Sequence, residues 1–322
     1  MTNFKKLGLT ALAGSLVATS AFAGAMSVSG GASLNVEHTN GGAGDSGKTF
    51  SMGNQLTFSG SGELDNGLNV ALSFIIDQND DGTTASGGVK SANTGSPFDS
   101  HSVTVSSDAL GSLKFSGEGG SSATSALDTT AAGDIWDNFD GSTTVHPTGI
   151  GGGDNSMLYT LPTLMDGLAA NVSYNKTSEG KESATGYSLT YTGMEGLSVS
   201  YGSGDGTTAN TSADVIKASY AYGPVTVAYS NYEYDADGTS SDDDTTSYKV
   251  SYTVSDEISL SYGSETVSRG TLIDGEYTSI SASYTAGGMT ITAAMQEAEN
   301  MDGTTTATQD RERWALGASF AF

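Results

Sequence analysis

The chain is 322 residues long, has no cysteine, and sets 37 acidic against 12 basic residues for a formal net charge of −25. Without cysteine there is no disulfide framework and no thiolate metal site. So acidic a balance argues against binding to a nucleic-acid phosphate backbone, which needs clustered Lys and Arg.

The first element is an address. Lys5 and Lys6 precede the apolar run 7–18, and Ala21-Phe22-Ala23 follows it, the layout of a secretory signal peptide cut after Ala23. The run is too short for a bilayer span, which takes about 20 residues. Residues 1–23 are therefore an expected leader and 24–322 the folded protein, and the rest of the chain holds no longer apolar run.

From residue 27 onward apolar and polar residues alternate with period two, the signature of strands whose faces differ chemically. Leu68, Val70, Leu72, Phe74 and Ile76 share one face; Tyr248, Val250, Tyr252 and Val254 share another, with Lys249, Ser251 and Thr253 behind them. The alternation predicts sixteen strands: 27–37, 49–64, 68–76, 101–107, 113–118, 156–161, 168–175, 185–192, 197–202, 214–222, 225–232, 246–254, 258–267, 277–285, 289–297 and 313–322. Their connections alternate between short turns, such as Asp65-Asn66-Gly67, Gly223-Pro224 and Ala286-Gly287-Gly288, and long polar loops, such as 77–100, 119–155 and 233–245.

Tight turns at one rim and long loops at the other describe a transmembrane antiparallel meander. A soluble sandwich hides its apolar faces in a core. Here the polar face is mostly Ser, Thr, Asn and Gly. In lipid every backbone group must be satisfied internally, so an all-β span has to close on itself. Sixteen strands enclose more space than side chains fill. The expected fold is all-β, a 16-stranded antiparallel transmembrane β-barrel with an aqueous lumen.

Over essentially all of 24–322 the sequence resembles the general-diffusion porins of Gram-negative bacteria, the alphaproteobacterial kind in particular. The resemblance rests on the sixteen-strand alternation, the long connection after the fifth strand, and the terminal strand WALGASFAF. It implies a cell outer membrane location, lipid and lipopolysaccharide around the barrel, and passive transport of small polar solutes. It also implies that Trp314, Leu316, Ala318, Phe320 and Phe322 form the signal read by the barrel-assembly machinery. The segment about 119–155 becomes an inward-folded constriction loop; the alternative is a strap resting on the barrel mouth. The loop carries Asp128, Asp134, Asp137, Asp140 and Asp154 and no Lys or Arg. Lys114, Lys217, Lys249 and Arg313 fall on lumen positions, while Glu118 stands where the family commonly has a base. Fixed negative charge concentrates cations, so cation preference is expected.

All 15 Tyr lie at or after Tyr159. Aromatic girdles mark lipid boundaries, so the tyrosine-free wall of the first five strands is expected to meet protein, as in a homotrimer. Asp77, Asn79 and Asp81 imitate the start of a calcium loop, but the twelfth position is Gly88 and no helices flank it; only weak calcium binding fits. His38, His101 and His146 are too scattered for a metal centre. No cofactor and no enzymatic site is expected. Two other readings remain: a barrel dedicated to one substrate, and a secreted calcium-binding β-solenoid, which a fixed repeat length would favour.

Overall fold

A computed structural model describes residues 26–41, 47–77, 84–85, 89–90, 98–139, 150–176, 182–236, 242–303 and 310–322. The expected leader, Asn79, Asp81, Asp140 and His146 lie outside these residues.

The strands in chain order are β1 (Met26–Asn40), β2 (Gly47–Glu63), β3 (Asn69–Asp77), β4 (Thr84–Ala85), β5 (Val89–Lys90), β6 (Phe98–Ser107), β7 (Gly111–Glu118), β8 (Ser156–Thr160) and β9 (Leu168–Asn175). They continue as β10 (Ala184–Tyr191), β11 (Leu197–Asp205), β12 (Ser212–Tyr222), β13 (Val225–Asp235), β14 (Asp243–Thr253), β15 (Ile258–Arg269), β16 (Gly275–Ala286), β17 (Met289–Glu299) and β18 (Arg311–Ala321). All but β4 and β5 form one closed antiparallel barrel of neighbours, sealed by β1 against β18. β4 and β5 pair as a small hairpin between β3 and β6, an element the alternation had not indicated.

Period-two alternation sorts the wall. Met52, Leu72, Val172, Tyr248, Val250, Tyr262, Ile280 and Leu316 are exposed on the outside, where a lipid solvent would cover them. Their alternates Ser33, Asn35, Ser73, Ser173, Ser188, Ser230 and Ser247 face inward. Among the described residues, apolar side chains are buried where the segment after β7 packs on the inner wall. Tyrosines pair on the outer surface, Tyr187 with Tyr201 at 6.1 Å and Tyr229 with Tyr248 at 5.2 Å between ring centres.

Several strands run beyond their expected ends on the long-loop side: β1 reaches Asn40, β13 Asp235 and β15 Arg269. Past the apolar belt both faces are polar, so the periodic signal fades although the ladder hydrogen bonds continue. The outward side there is acidic, with Glu233 directly opposite both Asp214 and Asp244, and Glu297 opposite Glu312. The opposite rim is closed by tight turns. Gly196 has φ +74°, and a Cβ there would lie 2.4 Å from the Ala221 carbonyl oxygen, so the turn requires glycine.

The seam depends on a close approach. Gly30 donates its N–H to the Phe322 oxygen at 2.7 Å, and Phe322 returns the bond at 3.0 Å. The Phe322 ring lies over Gly30, where a Cβ would come within 2.5 Å of it. Replacing Gly30 by leucine should lift this ring and cost about 1–3 kcal/mol, the usual penalty for overpacking. The expected result is a lower temperature for the shift from folded to unfolded mobility on a detergent gel; an unchanged temperature would refute the role.

Candidate functional site

The segment after β7, in its described parts 119–139 and 150–155, enters the barrel and packs on its inner wall. It leaves β7 through a bridge between Gly120 and Gly153 and makes short 3-10 turns at Ser125–Leu127 and Ile135–Asn138. Its apolar side chains are what the inner wall buries. Ile135 and Phe139 pack with Val267, Tyr277, Ala298 and Met301. Ile150 packs with Ala213, Val215 and Tyr232, with Leu127 alongside.

Residues 121–139, which belong to no strand, leave their backbone groups without a ladder, and buried groups of that kind must find partners. Wall side chains supply them. Ser173 accepts from Ala123 N at 2.9 Å, Ser230 from Ala131 N at 2.8 Å, and Ser247 from Ala132 N at 2.9 Å. Asn175 donates to the Gly152 and Asp154 carbonyls, both at 3.1 Å. Lumen hydroxyls thus serve as fixings for the loop as well as wetting the channel wall.

The strongest fixing is Glu265 on β15, only 1 % exposed. Its carboxylate accepts from the Thr130 hydroxyl, from Trp136 N at 3.1 Å and from the Ser247 hydroxyl at 3.5 Å. Thr130 in turn accepts from Gly133 N at 3.1 Å and Asp134 N at 2.7 Å, while the Asp134 carboxylate accepts from Thr130 N at 2.9 Å. This mutual clasp holds Asp134 at φ +54°, a left-handed conformation that Asp tolerates better than most residues. Glu265 was not among the expected site residues; in sequence it is one carboxylate in a polar alternation, indistinguishable from a solvated one.

The expected site residues divide into engaged and free. Lys217 donates to the Thr129 carbonyl, and Asp128 lies in the field of both Lys217 and Asp134. Arg313 bridges Glu37 on β1 and Gln296 on β17, the latter at 2.6 Å. Gln296 reaches on to Ser279 at 3.5 Å, and Glu37 accepts from Thr49 at 3.4 Å. Arg313 is therefore the middle of a polar chain across five neighbouring strands at the barrel seam. Lys249 faces the lumen between Ala228 and Gly263, and Lys114 is exposed on β7. Among the loop acids, Asp128 and Asp134 are half-buried, and Asp137 and Asp154 are exposed. Among the described residues, the inward positions of β1, β2, β3 and β6 carry no Lys or Arg.

Burial first, then the nearby Asp134, pushes the Asp128 carboxyl above the usual carboxylate range, against the pull of loop N–H groups and Lys217. Trp314, Leu316, Phe320 and Phe322 are all outward and exposed on the terminal strand and its end. Asp77 ends β3, and no group of three metal-ligating side chains occurs among the described residues.

A family profile described as Gram-negative porin matches residues 8–271. No curated protein matches the sequence. Among solved structures, an engineered variant of the Rhodopseudomonas blastica porin superposes with a TM-score of 0.67 at 14% identity, covering 92% of this chain and 100% of that one. OmpF of Salmonella typhi, solved with daunomycin, superposes with a TM-score of 0.71 at 14% identity, covering 93% and 98%.

Proposed function

The chain belongs to the Gram-negative porins, passive channels of the outer membrane and not enzymes, and from that premise we propose that it is a cation-preferring pore for small hydrophilic solutes. The observation that carries the preference is the imbalance of available charge at the loop. Lys217 is engaged by a loop carbonyl and Arg313 by Glu37 and Gln296. Against the lumen-facing Lys114, Lys217 and Lys249, the described part of the loop sets Asp128, Asp134, Asp137 and Asp154, and the wall adds Glu265, so fixed negative charge outweighs positive around the loop. Reversal potentials across a planar bilayer with a salt gradient test this: the expected sign is that of cation flow, and anion selectivity would refute it.

The same reading includes a homotrimer. Its support is the tyrosine-free outer wall of β1, β2, β3, β6 and β7, where Phe58 and Phe74 stack at 4.8 Å and small residues such as Gly30, Ala32, Gly60 and Gly62 permit close approach. Cross-linking in detergent should trap three copies; monomers alone would count against it. The acidic outward ends of β12–β14 and of β16–β18 fit contact with lipopolysaccharide phosphates through divalent cations. The outward apolar stripe from Trp314 to Phe322 fits recognition by the barrel-assembly machinery.

A further inference from the structure

We propose that the width of the constriction is set by inner-wall positions without side chains, Gly186, Gly202 and Gly204 on β10 and β11 and Gly263 on β15, over which the loop lies flush. This rests on the porin reading and adds to it the residues that fix the size limit for solutes.

Glycine weakens a strand and needs a reason to be there. None of these four has a left-handed φ, so backbone conformation does not demand it. What they share is the loop pressed against them. A Cβ on Gly263 would lie 2.8 Å from the Ala132 Cβ and 3.3 Å from the Ile135 Cδ1. On Gly204 and Gly186 it would lie 2.8 and 3.1 Å from the Thr124 Oγ1, and on Gly202 3.2 Å from the Leu127 Cδ1. Both 3-10 turns of the loop therefore sit on glycine. At Gly204 the Thr185 oxygen of the paired strand also crowds the position, at 2.7 Å. At Gly263 the three nearest atoms all belong to the loop, which makes it the cleanest site to test.

Carbon atoms settle about 3.5–4.0 Å apart, so a side chain at Gly263 requires movement. The sheet is held on both sides, with Lys249 and Ser279 paired to Gly263 across β14 and β16. The described part of the loop that lies on Gly263 belongs to no strand and is the softer partner. It should move toward the lumen and narrow the passage.

The experiment compares Gly263→Val and Gly263→Ala with the full-length porin, by single-channel conductance and by liposome swelling with neutral sugars of increasing size. Gly263→Val is expected to lower conductance about twofold, since conduction follows the radius of the lined pore, and to slow large sugars more than small ones. Gly263→Ala gives a smaller change of the same sign and serves if the valine variant does not fold. Combining Gly263→Ala with Ala132→Gly moves the methyl group across the contact and should restore both readouts. Gly31→Val, on β1 four strands round the barrel from β15 and with nothing nearer than the Phe320 oxygen at 3.6 Å, should leave the ratio of large to small sugar unchanged. The inference is overturned if Gly263→Val keeps the wild-type sugar ratio, if its conductance rises, or if the paired exchange fails to restore it. A wild-type protein that does not conduct would instead sink the porin reading on which the inference stands.

Discussion

Replacing Glu265 by leucine is expected to raise single-channel conductance severalfold and to make the open current noisy. The buried carboxylate gathers Thr130, Trp136 N and Ser247, binding the middle of the loop to β15. Hydrogen bonds to a charged group are worth about 1.5–3 kcal/mol each, against roughly 1 kcal/mol for the neutral bonds from Ser230 and Ser247. Leucine also leaves Trp136 N buried without its acceptor. What remains at the middle of the loop is those neutral bonds and the packing of Ile135 and Phe139, about 1.5–3 kcal/mol per fully buried side chain. That is enough to keep the loop visiting the wall but too little to hold it there, so local opening joins the measured current. Glu265→Gln keeps an acceptor oxygen and the shape, so its effect should be smaller. Bilayer recordings decide: wild-type conductance and noise in the leucine variant would show that the loop holds without this latch.

The second large effect should come from the exposed loop carboxylates. Neutralising Asp137 and Asp154 together, as Asn, is expected to remove most of the cation preference while leaving conductance in concentrated salt near wild type. A unit charge about 4 Å from a permeating ion is worth about 1 kcal/mol in water, or roughly fivefold in local ion occupancy, and salt screens it. Asp128 adds a dependence on pH. Its folded carboxyl is raised by burial and by Asp134, so on acidification it becomes neutral ahead of an ordinary carboxylate. Because the raised value disfavours the charged form in the folded loop, stability is gained as pH falls through the folded value. The gain is complete once pH has dropped below the unfolded one. Mild acid should therefore weaken cation preference while seating the loop more firmly, and Asp128→Asn should abolish that early step. Reversal potentials that do not move until the ordinary carboxylate range would contradict it.

The barrel was legible because lipid outside and water inside impose period two on every strand. Tyr248 against Lys249, or Trp314 against Arg313, declares its face without any knowledge of partners. The long loop after the fifth barrel strand was legible from its length and from Ile135, Trp136 and Phe139, which have no purpose in a solvated loop. What holds it was not. Ser173, Ser230 and Ser247 look like any other inward hydroxyl, and the pairing of Ala132 with Gly263 joins positions 131 residues apart. Charge type was readable and charge availability was not. Alternation puts Lys217 and Arg313 on lumen positions, but that Thr129 engages one and Glu37 the other depends on side-chain reach across strands. The strand ends on the long-loop side were missed because beyond the apolar belt neither face is selected for grease.

The closing of β1 against β18 has a consequence for the chain before it folds. Gly31 pairs with Ala321, so the first strand keeps an open edge until the last has been delivered, and an open edge invites other chains. The polypeptide must cross the inner membrane and the periplasm in that state. Because its greasy residues are spaced one apart, no stretch of the strand region reads as a helical stop-transfer signal. The alternation that later faces lipid on one side is thus also what lets the unfolded chain pass through the first bilayer without lodging there.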